Sequence, residues 1–222
     1  MDQYTVIIGD IKGSRKLSDY HRHEWQLFLK SAIVQINEDC KADIEAAFMI
    51  TKGDEFQGVL RKISAVPSLV AKFERLVYPL NLRFGIGYGM IQRLGSNIPI
   101  EMDGKAFHRA NTALQIAKKK KQMVNINSGY LKFDLMVNTI YQLIAAIKSR
   151  WSETTFKRHW QYAELGTYEQ VAEREGVSTQ AVWDSLNHGH AIDVMDAERA
   201  LHELFLNIPV ENNINQMVDK IG

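Results

Sequence analysis

The chain has 222 residues, enough for one large domain or a medium domain with a small one. Apolar residues make up 45% and charged residues 24%, as in ordinary soluble globular proteins, and a net charge of +1 gives no whole-molecule pull toward nucleic acid or membrane. Cys40 is the only cysteine, which excludes an intrachain disulfide and a cysteine-based zinc site and fits a reducing compartment. The N-terminal MDQYTVIIGD carries an early acid and a short apolar run, unlike a signal peptide, and VNTIYQLIAAI is too short to span a bilayer. A cytoplasmic protein is expected.

The β-branched run YTVIIGD (4–10) predicts a buried strand. From about Ser18 to Asp39, Trp25, Leu29, Ala32, Ile33 and Ile36 recur at helical spacing, which predicts an amphipathic helix. Residues 44–51 and 56–63 read as a β-hairpin around the acidic corner KGDEF, and VPSLVAKFERLVYPL (66–80), with Pro near its first turn, as a second helix that stops before Pro79. NLRFGIGYGMIQR (81–93) alternates apolar residues with Gly85, Gly87 and Gly89, predicting a strand that a backbone or a ligand approaches closely. A third helix is expected over 103–122, its Lys118–Lys121 run favoured by the helix dipole, and a short strand over 123–127. The order contains the βαββαβ unit of a ferredoxin-like α+β sandwich. After residue 130 strands disappear, and Val137, Ile140, Tyr141, Ile144, Ile147 and Trp151 mark a helix with an apolar stripe. The expected division is a ferredoxin-like domain over 1–130, a connecting helix over 131–152, and a small all-α domain with a tail over 153–222.

In a ferredoxin-like sheet ordered 4-1-3-2 the end of strand one lies beside the hairpin turn. Asp10, Asp54 and Glu55 would then converge, offering hard oxygen ligands for Mg²⁺ or Mn²⁺ next to a phosphate. The loop IKGSR (11–15) places Gly13, Ser14 and Arg15 where an anion could bind. An acidic hairpin turn also arises for purely steric reasons.

GTYEQVAEREGVSTQAVWDSLNHG (166–189) carries a capping box at Thr167 and Gln170, a turn glycine at Gly176, and a second cap at Ser178. That is the pattern of a helix-turn-helix, with Ser178, Thr179, Gln180, Trp183 and Asp184 outward on the second helix. Ser, Thr and Gln can hold phosphates or read base edges, and Lys157, Arg158 and His159 could meet the DNA backbone. Against this, the second helix has no Arg or Lys, and a protein-interaction module remains the alternative.

Three resemblances extend the reading. TYEQVAEREGVSTQAV resembles the domain-4-type helix-turn-helix of bacterial sigma factors. VIIGDIKGSRKL, FMITKGDEFQGVL, RFGIGYG and ANTALQIAKKKKQ occur in the order of the palm domain of nucleotidyl cyclases, of both the class III and the diguanylate cyclase (GGDEF) branches. GDIKGSR, GDEFQG, DGKAFHRA and the C-terminal helix-turn-helix together resemble the bacterial SatD family. The cyclase resemblance implies that Asp10 and either Asp54 or Glu55 hold a metal ion. It implies that the amides of Ile11, Lys12 and Gly13 face a triphosphate and that Lys118 reaches a phosphate. Departures from its pattern are Lys52, His108, Asn111 and Thr112, which put turnover in doubt.

The expected function is a bacterial regulatory protein that binds DNA, with a degenerate palm that holds Mg²⁺ and a nucleotide. An active nucleotide cyclase or nucleotidyl-transfer enzyme, and an inert interaction scaffold, are the alternatives. A homodimer is expected, because the resemblance implies sites between two palms and helix-turn-helix proteins read paired half-sites. Haem, flavin and zinc are not expected. His21, His23, His188 and His190 read as surface residues, the four tryptophans as packing residues, and Cys40 as inert.

Overall fold

Alternation of apolar side chains along the strands of the computed structural model, which describes residues 2–14, 19–93 and 98–208, builds a sheet covered on both faces. Its N-terminal part runs β1 (Tyr4–Ile11), α1 (Asp19–Asp39), β2 (Ile44–Lys52), β3 (Glu55–Leu60), α2 (Val66–Val77) and β4 (Leu82–Gly89). There follow β5 (Gln92–Arg93), β6 (Met102–Asp103), α3 (Lys105–Lys120) and β7 (Val124–Asn127). The main sheet is ordered β2-β3-β1-β4-β7, with β1 antiparallel to both β3 and β4 and with β7 parallel to β4. The first four strands and the helices α1 and α2 form the expected ferredoxin-like α+β core, which α3 and β7 extend.

Strand period 2 sorts the side chains. Ile7, Phe56, Phe84 and Ile86 face α1 and α2, meeting Leu29, Ile33, Ile36 and Phe73. Val6, Ile8 and Val59 face the other way, against Ala106, Phe107, Ala110 and Leu114 of α3. The β4 glycines lie on this second face. A Cβ on Gly85 would stand 2.3 Å from the Leu114 backbone nitrogen, and one on Gly87 only 2.1 Å from the Ala106 carbonyl oxygen. The close approach predicted at these glycines is therefore by the backbone of α3.

The predicted end of the fourth strand moves. The fourth strand stops at Gly89 rather than at residue 93, because the Met90 carbonyl accepts the Ala106 N–H at 3.2 Å and Gln92–Arg93 pair separately with Met102–Asp103. The second helix ends at Val77, before Pro79 as expected, since the proline holds Tyr78 at an extended ψ of 134°.

The remaining helices are α4 (Leu131–Lys148), α5 (Glu153–Leu165), α6 (Tyr168–Glu175), α7 (Thr179–His188) and α8 (Ala191–Leu206). Asn138 clamps α4 to β7 by bonding both the N–H and the carbonyl of Ile126, at 2.7 and 3.0 Å. Val137, Tyr141 and Ile144 of α4 and Val194, Leu201 and Phe205 of α8 join the core beneath α2. A second cluster, Val171, Ala172, Val182, Leu186 and Ala191, holds α6 and α7 together. Among the described residues no helix is long and apolar enough to cross a membrane.

Candidate functional site

Register assembles a charged corner at one end of the sheet. Asp10, next to last in β1, is paired across the ladder with Arg83, and Gly9 with Phe56 beside Glu55. Asp10, Glu55 and Arg83 all fall on the face covered by α3, and the last turn of α3 suspends Lys118 above them. Lys118 Nζ lies 3.0 Å from Asp10 Oδ2 and 3.5 Å from Glu55 Oε2. Arg83 Nη1 donates to both Asp10 oxygens at 3.3 and 3.4 Å, while its Nε is buried without a partner among the described residues. Asp54, in the hairpin turn, accepts the Ile11 N–H at 3.2 Å. The turn turns tightly because Gly53 adopts φ +63° with open space where a Cβ would be.

The structure thus gathers Asp10, Glu55 and Lys118 at one corner, while Asp54 is held in the neighbouring turn by the Ile11 N–H. Sequence reasoning missed Arg83, whose signal is its place just before FGIGYG, opposite Asp10 once β1 and β4 pair. Of the amides expected to face a triphosphate, Ile11 is taken by Asp54 and Lys12 by the Asn81 carbonyl at 2.7 Å. Gly13 sits at φ +86° with nothing within 4 Å of its Cβ position among the described residues. Ser14 is buried, and Arg15 lies outside the described residues.

For a metal ion, the donors have the right chemistry, two carboxylates flanking one cation position. That position is taken by the Lys118 ammonium, and among the described residues no three His, Cys, Asp or Glu side chains converge. Such a pair is the donor set that Mg²⁺ uses when substrate phosphates supply the other ligands, in contrast to an all-protein cage.

The helix-turn-helix has the predicted caps. Thr167 Oγ1 accepts the Gln170 N–H, Ser178 Oγ accepts the Ala181 N–H, and Gly176 closes α6 at φ +67°. Thr179, Gln180 and Trp183 are exposed on α7, with the Gln180 amide donating to Asp184 at 3.0 Å. Lys157 is exposed and paired with Glu153. Two expected backbone contacts need correction. Arg158 is buried, its Nε donating to Glu175 at 2.9 Å and its Nη1 to the Ala181 carbonyl at 2.7 Å, so its donors fasten α5 to α6 and α7. His159 is buried as well, 3.3 Å from Glu198 of α8.

The SatD family profile matches residues 4–190, which include both the corner and the helix-turn-helix. The chain belongs to the SatD family. No curated protein matches it. Among solved structures the SatD-family chain is similar to a bacterial light-regulated adenylyl cyclase (16% identity, 56% of this chain and 75% of that one, TM-score 0.40). It is also similar to the catalytic core of a rhodopsin-guanylyl cyclase with converted specificity, in complex with ATPαS (17%, 51% and 72%, 0.40). A third is the GGDEF domain of a Pseudomonas aeruginosa protein (16%, 54% and 78%, 0.36).

The departures from the cyclase pattern have local roles in this SatD-family fold. Thr112 returns its hydroxyl to the His108 carbonyl at 2.9 Å, His108 lies 3.5 Å from Asp103, and Asn111 faces Gln115. All three are exposed on α3. Lys52 is exposed at the hairpin. His21, His23, His188 and His190 are exposed, Trp25, Trp151 and Trp160 are partly buried, and Trp183 is 42% exposed. Burial raises the Cys40 thiol pKa above its ordinary value, the opposite of activation.

Proposed function

We propose that this SatD-family protein is a cytoplasmic, dimeric regulator that holds a nucleoside triphosphate with Mg²⁺ at the Asp10 corner and binds duplex DNA through α7. The observation that supports the ligand most is the convergence of Asp10, Glu55 and Arg83 beneath Lys118. A triphosphate alone would meet the carboxylates of Asp10 and Glu55 there. With Mg²⁺ the charges match: Asp10 and Glu55 take the metal, and Lys118, released from them, takes a phosphate beside Gly13. Bound there, the metal would neutralise phosphate charge. The order of the four cyclase-like motifs supports the same ligand class.

The test is a thermal shift of the full chain. ATP or GTP with Mg²⁺ should raise the melting temperature, and nucleotide in chelator should not. Asp10→Asn should abolish the rise, and Lys118→Met should weaken binding by about tenfold or more, the scale of a charged hydrogen bond. No shift with any nucleotide would overturn the ligand reading. Unchanged nucleotide after long incubation with Mn²⁺ would assign the corner to binding without turnover.

For DNA, the support is the capped helix-turn-helix with Thr179, Gln180 and Trp183 outward. Affinity for duplex should fall steeply with salt, and Lys157→Gln should lower the log–log salt slope by about 1. Fluorescence anisotropy at low salt measures both, and absence of binding there would leave α7 an interaction surface. Sedimentation equilibrium tests the dimer.

A further inference from the structure

A cation already stands where a metal ion would bridge Asp10 and Glu55. Lys118 Nζ lies 3.0 Å from Asp10 Oδ2 and 3.5 Å from Glu55 Oε2, so one ammonium spans the two carboxylates. Arg83 Nη1 lies 3.3 Å from Asp10 Oδ1 and 3.4 Å from Oδ2. Both Asp10 oxygens are therefore engaged before any ligand arrives. A metal ion held by Asp10 and Glu55 has to take the position of Nζ, and an ammonium, which only donates, cannot serve as its ligand.

The two cations differ in freedom. Arg83 and Asp10 sit opposite each other on paired strands, with side chains only 13% and 12% exposed. Lys118 reaches in from the last turn of α3 on a flexible four-carbon stem, and its side chain is 29% exposed beside a Glu55 that is 39% exposed. Lys118 can therefore swing out to solvent while the strand ladder keeps Arg83 on Asp10. For bare Mg²⁺ the exchange is poor. The ammonium gives up two charged contacts, and an ion that dehydrates reluctantly gains only two carboxylates. A phosphate changes the balance, because it offers the displaced ammonium a new anionic partner and the metal further oxygen ligands.

We propose that Lys118 is a built-in plug that excludes free divalent metal from the Asp10–Glu55 pair, so that the metal enters only together with a phosphate. This rests on the metal and nucleotide reading above and adds the condition for entry. Lys118 then acts with opposite sign on the two ligands, as a bar to bare metal and as a contact for the phosphate.

The test uses Mn²⁺ alone, which takes the same oxygen ligands as Mg²⁺, titrated into the full chain without nucleotide. Loss of the electron paramagnetic resonance signal of the free ion reads binding, and the part of it that Asp10→Asn removes belongs to the corner. The wild-type chain should bind no Mn²⁺ there below about 1 mM. Lys118→Met, which keeps the stem and loses the charge, should bind it at least about tenfold more tightly, the scale of one charged hydrogen bond. Lys118→Arg keeps a cation and should exclude the ion as wild type does. Circular dichroism checks that each variant is folded. The proposal is overturned if wild type and folded Lys118→Met bind Mn²⁺ equally, if neither binds it by about 10 mM, or if the gain in Lys118→Met survives addition of Asp10→Asn. A gain in Lys118→Met with no nucleotide-dependent thermal shift of the wild-type chain would sink the nucleotide and leave the exclusion standing. A nucleotide shift with no such gain would overturn the exclusion alone.

Discussion

Replacing Gly87 with alanine is expected to destabilise the fold by about 3 kcal/mol, the upper end of ordinary overpacking costs. The new Cβ would sit 2.1 Å from the Ala106 carbonyl oxygen and 2.3 Å from the Ala110 nitrogen. Both are backbone atoms of α3, so no rotamer change relieves the clash, and the whole helix must lift from β4. Gly53→Ala is the control. Its φ of +63° makes alanine strained by about 1–2 kcal/mol, but nothing lies within 4 Å of the added carbon. Urea melts should show a large fall in midpoint for Gly87→Ala and a smaller one for Gly53→Ala, with equal slopes. Lifting α3 also draws Lys118 off Asp10, so Gly87→Ala should lose nucleotide-dependent stabilisation in whatever fraction stays folded. A Gly87→Ala protein as stable as wild type would contradict the close packing of α3 on β4.

The glycines of β4 and the acidic hairpin were legible because both are local signals. Alternation in RFGIGYG fixed a strand with one face nearly bare, and KGDEF between two apolar runs fixed a turn. That Asp10 lies near this turn needed only the ferredoxin-like strand order. Arg83 was not legible in the same way, since its place opposite Asp10 follows from a ladder between residues 73 apart. Arg158 and His159 read as solvent-facing basic residues on an amphipathic helix. Their burial comes from α7 and α8, elements whose docking no periodicity within α5 announces. One signal was available and passed over: Lys148 follows Ile144 by four residues and precedes Trp151 by three, so it lies on the apolar stripe of α4. A lysine there must either be exposed by the packing or find buried carboxylates, and here it finds two.

Lys148→Met is the substitution that tests this cluster most severely. It removes the cation between Glu74 and Glu198 and strands two carboxylates at the junction of α2, α4 and α8. Breaking a buried pair in this way costs about 3–5 kcal/mol at neutral pH. The sign of the pH dependence follows from the groups that face one another: Glu74 of α2, Lys148 and Tyr141 of α4, His159 of α5 and Glu198 of α8. Burial raises the Glu198 pKa, but His159 and Lys148 more than reverse this and hold it at about 2, below its ordinary 4.5. A carboxylate depressed on folding contributes stability that is complete above about pH 4.5 and is lost as pH falls toward 2. Lys148 moves the other way in value but to the same effect. Burial lowers its pKa, Glu74 and Glu198 outweigh burial, and the net rise above 10.5 gives stability present below that pH and lost as it rises through the folded value. In Lys148→Met the lysine's contribution vanishes and Glu198 keeps only the part of its depression that His159 supplies, so the carboxylate is protonated more readily than in wild type. The deficit against wild type should therefore be greatest near neutrality and narrow as pH falls to about 4. Denaturant midpoints of the two proteins across that range measure it. A deficit independent of pH would mean that Lys148 stabilises through its aliphatic stem alone. Adding Glu74→Gln and Glu198→Gln to the Lys148→Met chain removes the stranded charge and should restore part of the loss.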